Sequence, residues 1–131
     1  LFEGLKQVKP GNHIQDIGKA IENYANIHHL GIVRELVGHG VGTDIHEEPE
    51  VPNYDTGHIG PVLKKGMVIA VEPMLNLGKD DVLMLDDDWT IITADSSPSA
   101  HFEHTVVVRE EGYEILTGKG DNIWVKKKLS K

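Results

Sequence analysis

Apolar residues recur three or four apart at Ile14, Ile17, Ile21, Tyr24 and Ala25 and close on His28, the spacing that gathers them on one face of an α-helix. Asn12 stands where an N-cap is expected and Gly31 lies just past the end, so the pattern predicts one amphipathic helix over residues 12–30. His28 and His29 are neighbours that face different directions; they read as helix-end residues near the negative pole of the dipole, not as ligands.

Beyond Gly31 the period shortens. Short β-branched runs, cut by turn residues, predict strands at Ile32–Val37, Met67–Leu77, Val82–Leu85, Trp89–Ala94, Phe102–Val108 and Tyr113–Leu116. The stretch Glu47–Gly66 carries Pro49, Pro52, Gly57, Gly60 and Pro61 and reads as a long irregular loop of the kind that is functional when ordered. A helix followed by such strands predicts an α+β domain, a curved and mostly antiparallel sheet with one covering helix. Asp86-Asp87-Asp88, between Leu85 and Trp89, lacks the alternating spacing and terminal glutamate of a calcium loop and reads as a hairpin turn.

With 131 residues and 39% hydrophobic content, the chain can fill one core and not two. Its longest clean apolar stretch, Met67–Val71, is far below a membrane span, and the start lacks the layout of a secretory signal, so no membrane partner is expected. The absence of cysteine excludes disulfides and thiolate zinc sites, and fits a cytoplasmic location. Net charge is −8 and the acidic excess lies in the body, which argues against nucleic acid as a partner. The division expected is a lobe over residues 1–118 and a basic, solvated tail over 119–131.

Imidazole and carboxylate are then the strong ligands that remain. His39 lies among glycines in Gly38-His39-Gly40-Val41-Gly42, Glu72 ends the run Val68–Val71, and Glu103 precedes His104–Val108. A carboxylate beside β-branched neighbours is costly to bury unless a cation or a basic side chain compensates it. Alternation along the strands puts Ala70, Glu72 and Met74 on one face and Glu103, Thr105 and Val107 on one face, so both glutamates can enter one cleft, with His39 arriving from a Gly-flanked turn. The bland alternative for each carboxylate is an ion pair with Arg34, Arg109 or a lysine; three such sites in one small domain favour a metal-ligand set.

Two other motifs fail. Gly38-x-Gly40-x-Gly42 has Thr43 where a dinucleotide fingerprint needs its third glycine, and His46-Glu47 has Glu50 where a helical zinc motif needs its second histidine.

Lys9-Pro10-Gly11-Asn12 before the helix, Gly38-His39-Gly40-Val41-Gly42, His46-Glu47-x-Pro49, Glu72-Pro73-Met74 and Phe102-Glu103-His104-Thr105-Val106-Val107 together resemble, in order and spacing, the type I methionine aminopeptidases of the pita-bread metallopeptidase fold. The resemblance covers Leu1–Thr117 and implies the C-terminal half of that fold. It implies removal of N-terminal, initiator methionine from nascent peptides at two divalent ions, whether manganese, iron, cobalt or zinc. His39 and Glu72 would hold one ion, Glu103 would bridge both, Glu72 would also assist proton transfer, and His46 would steady the scissile carbonyl. Trp89 resembles the aromatic residue over the methionine pocket; the alternative reading is a hairpin core residue. Ile45 stands where phenylalanine is usual beside the substrate, and His101 where glutamine is usual.

The family's two aspartate ligands and a further histidine lie upstream of anything present here, and Asp16 on the helix does not replace them. The resemblance therefore implies a lobe that is inactive alone, holds no ion or one weakly, needs the N-terminal half of the enzyme as its partner, and self-associates without it. The alternatives are a lobe of a proline-type pita-bread peptidase and a non-catalytic peptide-binding module.

Overall fold

The structure, a computed structural model, describes residues 1–118 and the backbone of residues 124–126. A short helix α1 (Phe2–Leu5) precedes the predicted amphipathic helix α2 (Ile14–Ile27). Its cap is not Asn12, whose side chain donates to the Gln7 carbonyl at 3.0 Å. His13 takes the N-cap position instead, because Asp16 one turn on accepts its backbone N–H at 2.7 Å. The helix stops before Gly31: His29 adopts φ 55°, and the Leu30 N–H closes onto the Ala25 carbonyl at 2.9 Å.

Among the described residues eleven short strands follow: β1 (Gly31–Ile32), β2 (Gly38–Gly40), β3 (Glu47–Val51), β4 (Val68–Val71), β5 (Met74–Asn76), β6 (Val82–Met84), β7 (Ile91–Thr93), β8 (Ser99–His101), β9 (His104–Arg109), β10 (Gly112–Ile115) and β11 (Trp124–Lys126). They form a six-stranded sheet in the order β11-β10-β9-β4-β2-β3, a three-stranded sheet β1-β5-β8 and the hairpin β6-β7, with every pairing antiparallel. The expected α+β architecture is present. Strand β11 falls within the segment read as a basic tail, paired through Val125 to Tyr113 of β10; residues 119–123 and 127–131 lie outside the described ones.

The core fills the space between the α2 face of Ile14, Ile17 and Ile21 and the sheet face of Ile69, Val71 and Val106, all at most 2% exposed. Along β4, Ile69 and Val71 alternate with Val68 and Ala70, and with Glu72 just past its end, on the opposite face, as the period of two requires. Burying one face of β4 under the helix therefore aims Glu72 the other way.

The run Met67–Leu77 does not form one strand. Pro73 has no N–H to give to a ladder, so β4 and β5 separate at Glu72-Pro73 and β9 begins only at His104. The register nevertheless continues through the break: Ala70 faces Thr105, Val71 faces His104, and beyond the gap Met74 faces His101. Glu72 and Glu103 stand opposite each other at the interruption.

Three further expectations change. The predicted strand Ile32–Val37 shrinks to Gly31–Ile32, and the predicted turn Gly38-His39-Gly40 is strand β2, wedged between β4 and β3. Its glycines serve close approach and not positive φ: a Cβ on Gly38 would lie 2.2 Å from the Ala70 carbonyl oxygen, and one on Gly40 2.2 Å from that of Glu48. The first five residues of the long loop, Glu47–Val51, form β3 despite Pro49, because as an edge strand it needs only one partner. Gly38→Ala is expected to destabilise the chain by about 3 kcal/mol, the upper range for forcing volume into a packed site. Urea unfolding of the variant is the check, and an unchanged midpoint would refute so tight a contact.

The hairpin turn expected at Asp86–Asp88 is present. Asp87 accepts the N–H groups of Trp89 at 3.1 Å and Thr90 at 2.8 Å, and its bonds to Thr90 hold its carboxyl below the usual range. At the hairpin base Asp95 accepts the Lys79 N–H at 2.8 Å and the Ser97 N–H at 3.0 Å. Those bonds, that from Lys79 first, lower its pKa to about 2, so this clamp stays charged at neutral pH and holds in place the hairpin that carries Trp89.

Candidate metal centre

On β2, His39 pairs with Ala70 of β4, two residues from Glu72 on the same face, which brings its ring to the end of that strand. Its Nδ1 lies 2.8 Å from the Gly40 carbonyl oxygen. A carbonyl can only accept, so Nδ1 carries a proton, and with the ring in its neutral form Nε2 is left as a lone pair. That nitrogen lies 3.4 Å from Glu72 Oε1, with both side chains largely buried, at 16% and 14% exposed.

Two acceptors facing each other at that distance require a proton or a cation between them. The separation is one that two ligands with bonds of about 2.0–2.2 Å to a single ion can span. The backbone bond to Nδ1 is the second interaction that orients a metal-binding imidazole. His39 and Glu72 thus offer two donors of the kind a divalent ion takes.

Among the described residues no arginine or lysine pairs with either glutamate. Arg34 is engaged by Glu22 at 2.8 Å and Asp80 at 3.2 Å, and Arg109 by Glu114. His46, on the exposed turn after β2, packs against His39 with ring centroids 4.1 Å apart and the rings tilted by 44°. It shares with His39, Glu72, His101 and Trp89 a cavity of about 740 Å³ whose other walls include Val33, Met74 and Ile91.

Glu103 departs from the expected convergence. Opposite Glu72 in register, it is exposed and lines a different cavity, of about 790 Å³, with Leu1, Phe2, Leu75 and Phe102. Among the described residues no three His, Asp or Glu side chains form a cation cage. The interrupted ladder accounts for this, since Glu103 lies between β8 and β9 where no strand pairing holds its direction. Ile45 is 77% exposed and does not line the first cavity. Trp89 is 85% exposed, so it is no hairpin core residue, and it does line that cavity.

In the sequence His101 stood out only as a departure from the family motif, which usually has glutamine there. Its Nε2 lies 3.2 Å from Glu72 Oε2, and the alternation that put Glu103 on the site face of the strand puts His101 there as well.

Residues 1–110 match the model of metallopeptidase family M24. The chain belongs to that family. It is 48% identical over 117 residues to methionine aminopeptidase 1 of Bacillus subtilis, covering 89% of this chain and 47% of that protein. Identity to methionine aminopeptidase B of Synechocystis is 50% over 117 residues, covering 89% of this chain and 43% of that one. The crystal structure of the Thermotoga maritima methionine aminopeptidase superposes with a TM-score of 0.87 at 43% identity, over 91% of this chain and 48% of that one. The prolidase of Pyrococcus furiosus is more distant, with a TM-score of 0.59 at 27% identity, over 91% of this chain and 29% of that one. The fold is therefore that of the pita-bread metallopeptidases, and the chain spans about half the length of the curated relatives it matches. Among the described residues no helix is long and apolar enough to cross a membrane.

Proposed function

We propose that this chain supplies one lobe of a cytoplasmic methionine aminopeptidase, acting on the N-terminal methionine of nascent peptides. The observation that carries the proposal is the pair of acceptors, His39 Nε2 and Glu72 Oε1, facing each other at 3.4 Å in a cavity shared with His46 and Trp89. A non-catalytic peptide-binding module has no need of a largely buried imidazole and carboxylate converging at one cavity. The 43–50% identity to methionine aminopeptidases, against 27% to a prolidase, favours methionine over proline chemistry.

In this reading His39 and Glu72 hold one divalent ion, and Glu103, their neighbour across the ladder, completes the set for two, with manganese, iron, cobalt and zinc all suited to these ligands. Bound divalent ions supply a hydroxide nucleophile near neutral pH and polarise the peptide carbonyl. Glu72 accepts and returns the proton of the attacking water. His46, beside His39 and open to the cavity, donates a hydrogen bond to the oxygen on which negative charge develops. Trp89 covers the methionine side chain at the cavity mouth, and Ile45 borders the entering peptide.

The remaining ligands and the cover over Phe2, Leu77 and Phe102 come from the other half of the enzyme, the partner of this lobe. The chain alone is expected to release no methionine from a Met-Ala peptide, and the chain reunited with that half to release it and to contain metal by elemental analysis. Cleavage by the homogeneous chain alone would refute the division of ligands. A reunited enzyme that preferred an Xaa-Pro dipeptide would overturn the choice of substrate.

A further inference from the structure

Glu72 has two carboxylate oxygens and each has a different imidazole. Oε1 faces His39 Nε2 at 3.4 Å, and Oε2 lies 3.2 Å from His101 Nε2. The two contacts are not equivalent. His39 is committed through Nδ1 to the Gly40 carbonyl and so offers a lone pair, whereas an ionised carboxylate only accepts, so the second contact is a bond only if His101 Nε2 carries a proton.

We propose that His101 is a positioning residue: its Nε2–H donates to Glu72 Oε2 and thereby presents Oε1 to the space in front of His39 Nε2. The backbone makes this possible. Met74 and His101 face each other across β5 and β8, one step beyond the break at Glu72-Pro73, so His101 reaches back over a gap where no ladder bond restrains the carboxylate. Pro73 has no N–H to give, and the bond across the break, from the Phe102 N–H to the Pro73 carbonyl, is long at 3.4 Å. Without His101 the Glu72 side chain would keep its rotamer freedom in the cavity, and a ligand that must be ordered at the moment of binding binds less tightly. His101 is half-exposed and stands outside the His39–Glu72 contact, which distinguishes its role from that of a ligand.

The inference rests on the metal-site reading for its consequence but not for the hydrogen bond itself, and the two are tested apart. In the chain labelled with 15N-histidine, NMR at neutral pH is expected to show His101 as the Nε2–H tautomer, with that proton protected from exchange and lost to exchange in Glu72→Ala. An Nδ1–H tautomer, or a proton indifferent to Glu72→Ala, overturns the proposal whether or not any ion binds. Calorimetric titration with Mn(II) then compares the reunited enzyme with its His101→Gln and His101→Ala variants. A side-chain amide can donate the same bond, so His101→Gln is expected to stay within about twofold of the parent, while His101→Ala weakens Mn(II) binding about 10–100-fold, the scale for losing the partner of a ligand. Equal losses in both variants would make His101 a ligand and refute the positioning role, as would no loss in His101→Ala. A parent enzyme that bound no Mn(II), with the tautomer as expected, would instead count against the metal-site reading alone.

Discussion

Replacing His39 and replacing His46 by alanine, in the enzyme that contains this lobe, are expected to give different phenotypes although the two rings lie 4.1 Å apart. His39→Ala removes the lone pair that faces Glu72 Oε1, so the ion between them loses one of its two ligands from this side and metal content falls. Turnover falls with it. His46→Ala leaves that pair untouched and deletes only a hydrogen-bond donor to the developing oxyanion, a loss on the scale of 10²–10³-fold in turnover, or about 3–4 kcal/mol. Its metal content should match the parent. Glu103→Ala is expected to behave like His39→Ala, and more severely, if its carboxylate serves two ions. The assignment fails if His46→Ala empties the site or if His39→Ala retains full metal and full rate.

The isolated chain is expected to self-associate, through a different face from the one its strand pattern suggests. Alternation places Ala70, Glu72, Glu103 and Thr105 together on one side, yet Ala70 is fully buried and Glu72 is largely so. The large apolar surface open to solvent is the neighbouring patch of Phe2, Leu77 and Phe102, which are 58%, 68% and 68% exposed around the second cavity. Contiguous patches of this kind mark surfaces that another chain covers. Burying one such side chain contributes about 1.5–3 kcal/mol, so Leu77→Ser is expected to weaken the self-association about tenfold or more. Phe2→Ser should do the same, and neither change touches His39, His46 or Glu72. Sedimentation of the parent as a clean monomer at high concentration would sink this expectation.

Much of the architecture was legible along the chain because it depends on local period. The spacing of Ile14, Ile17 and Ile21 marked the helix and its buried face, and the alternation through Ile69, Ala70, Val71 and Glu72 set which side of β4 meets the core. The carboxylate-flanked turn Asp86–Asp88 declared itself for the same reason, since its bonds close within three residues. Where a cap or a strand end depended on competition, the pattern misled: Asn12 is a good cap residue in itself, but only His13 has Asp16 at the reciprocal distance.

What tertiary structure alone decided is the meaning of residues whose partners are far away in sequence. Gly38-His39-Gly40 has no strand propensity of its own; it is a strand because β4 and β3 close on it from both sides, nearer than any Cβ would permit. His39 and Glu72 were candidates by type, but that their acceptor atoms face each other, and that a backbone carbonyl holds the histidine's proton on the far nitrogen, follows only from the register of β2 on β4. His101 is the sharpest case. In sequence it is a histidine where glutamine is usual; across the ladder broken by Pro73 it lies on the second oxygen of Glu72. Period determines which face a side chain takes, whereas contact with a partner 29 residues away is determined by register, which no local pattern contains.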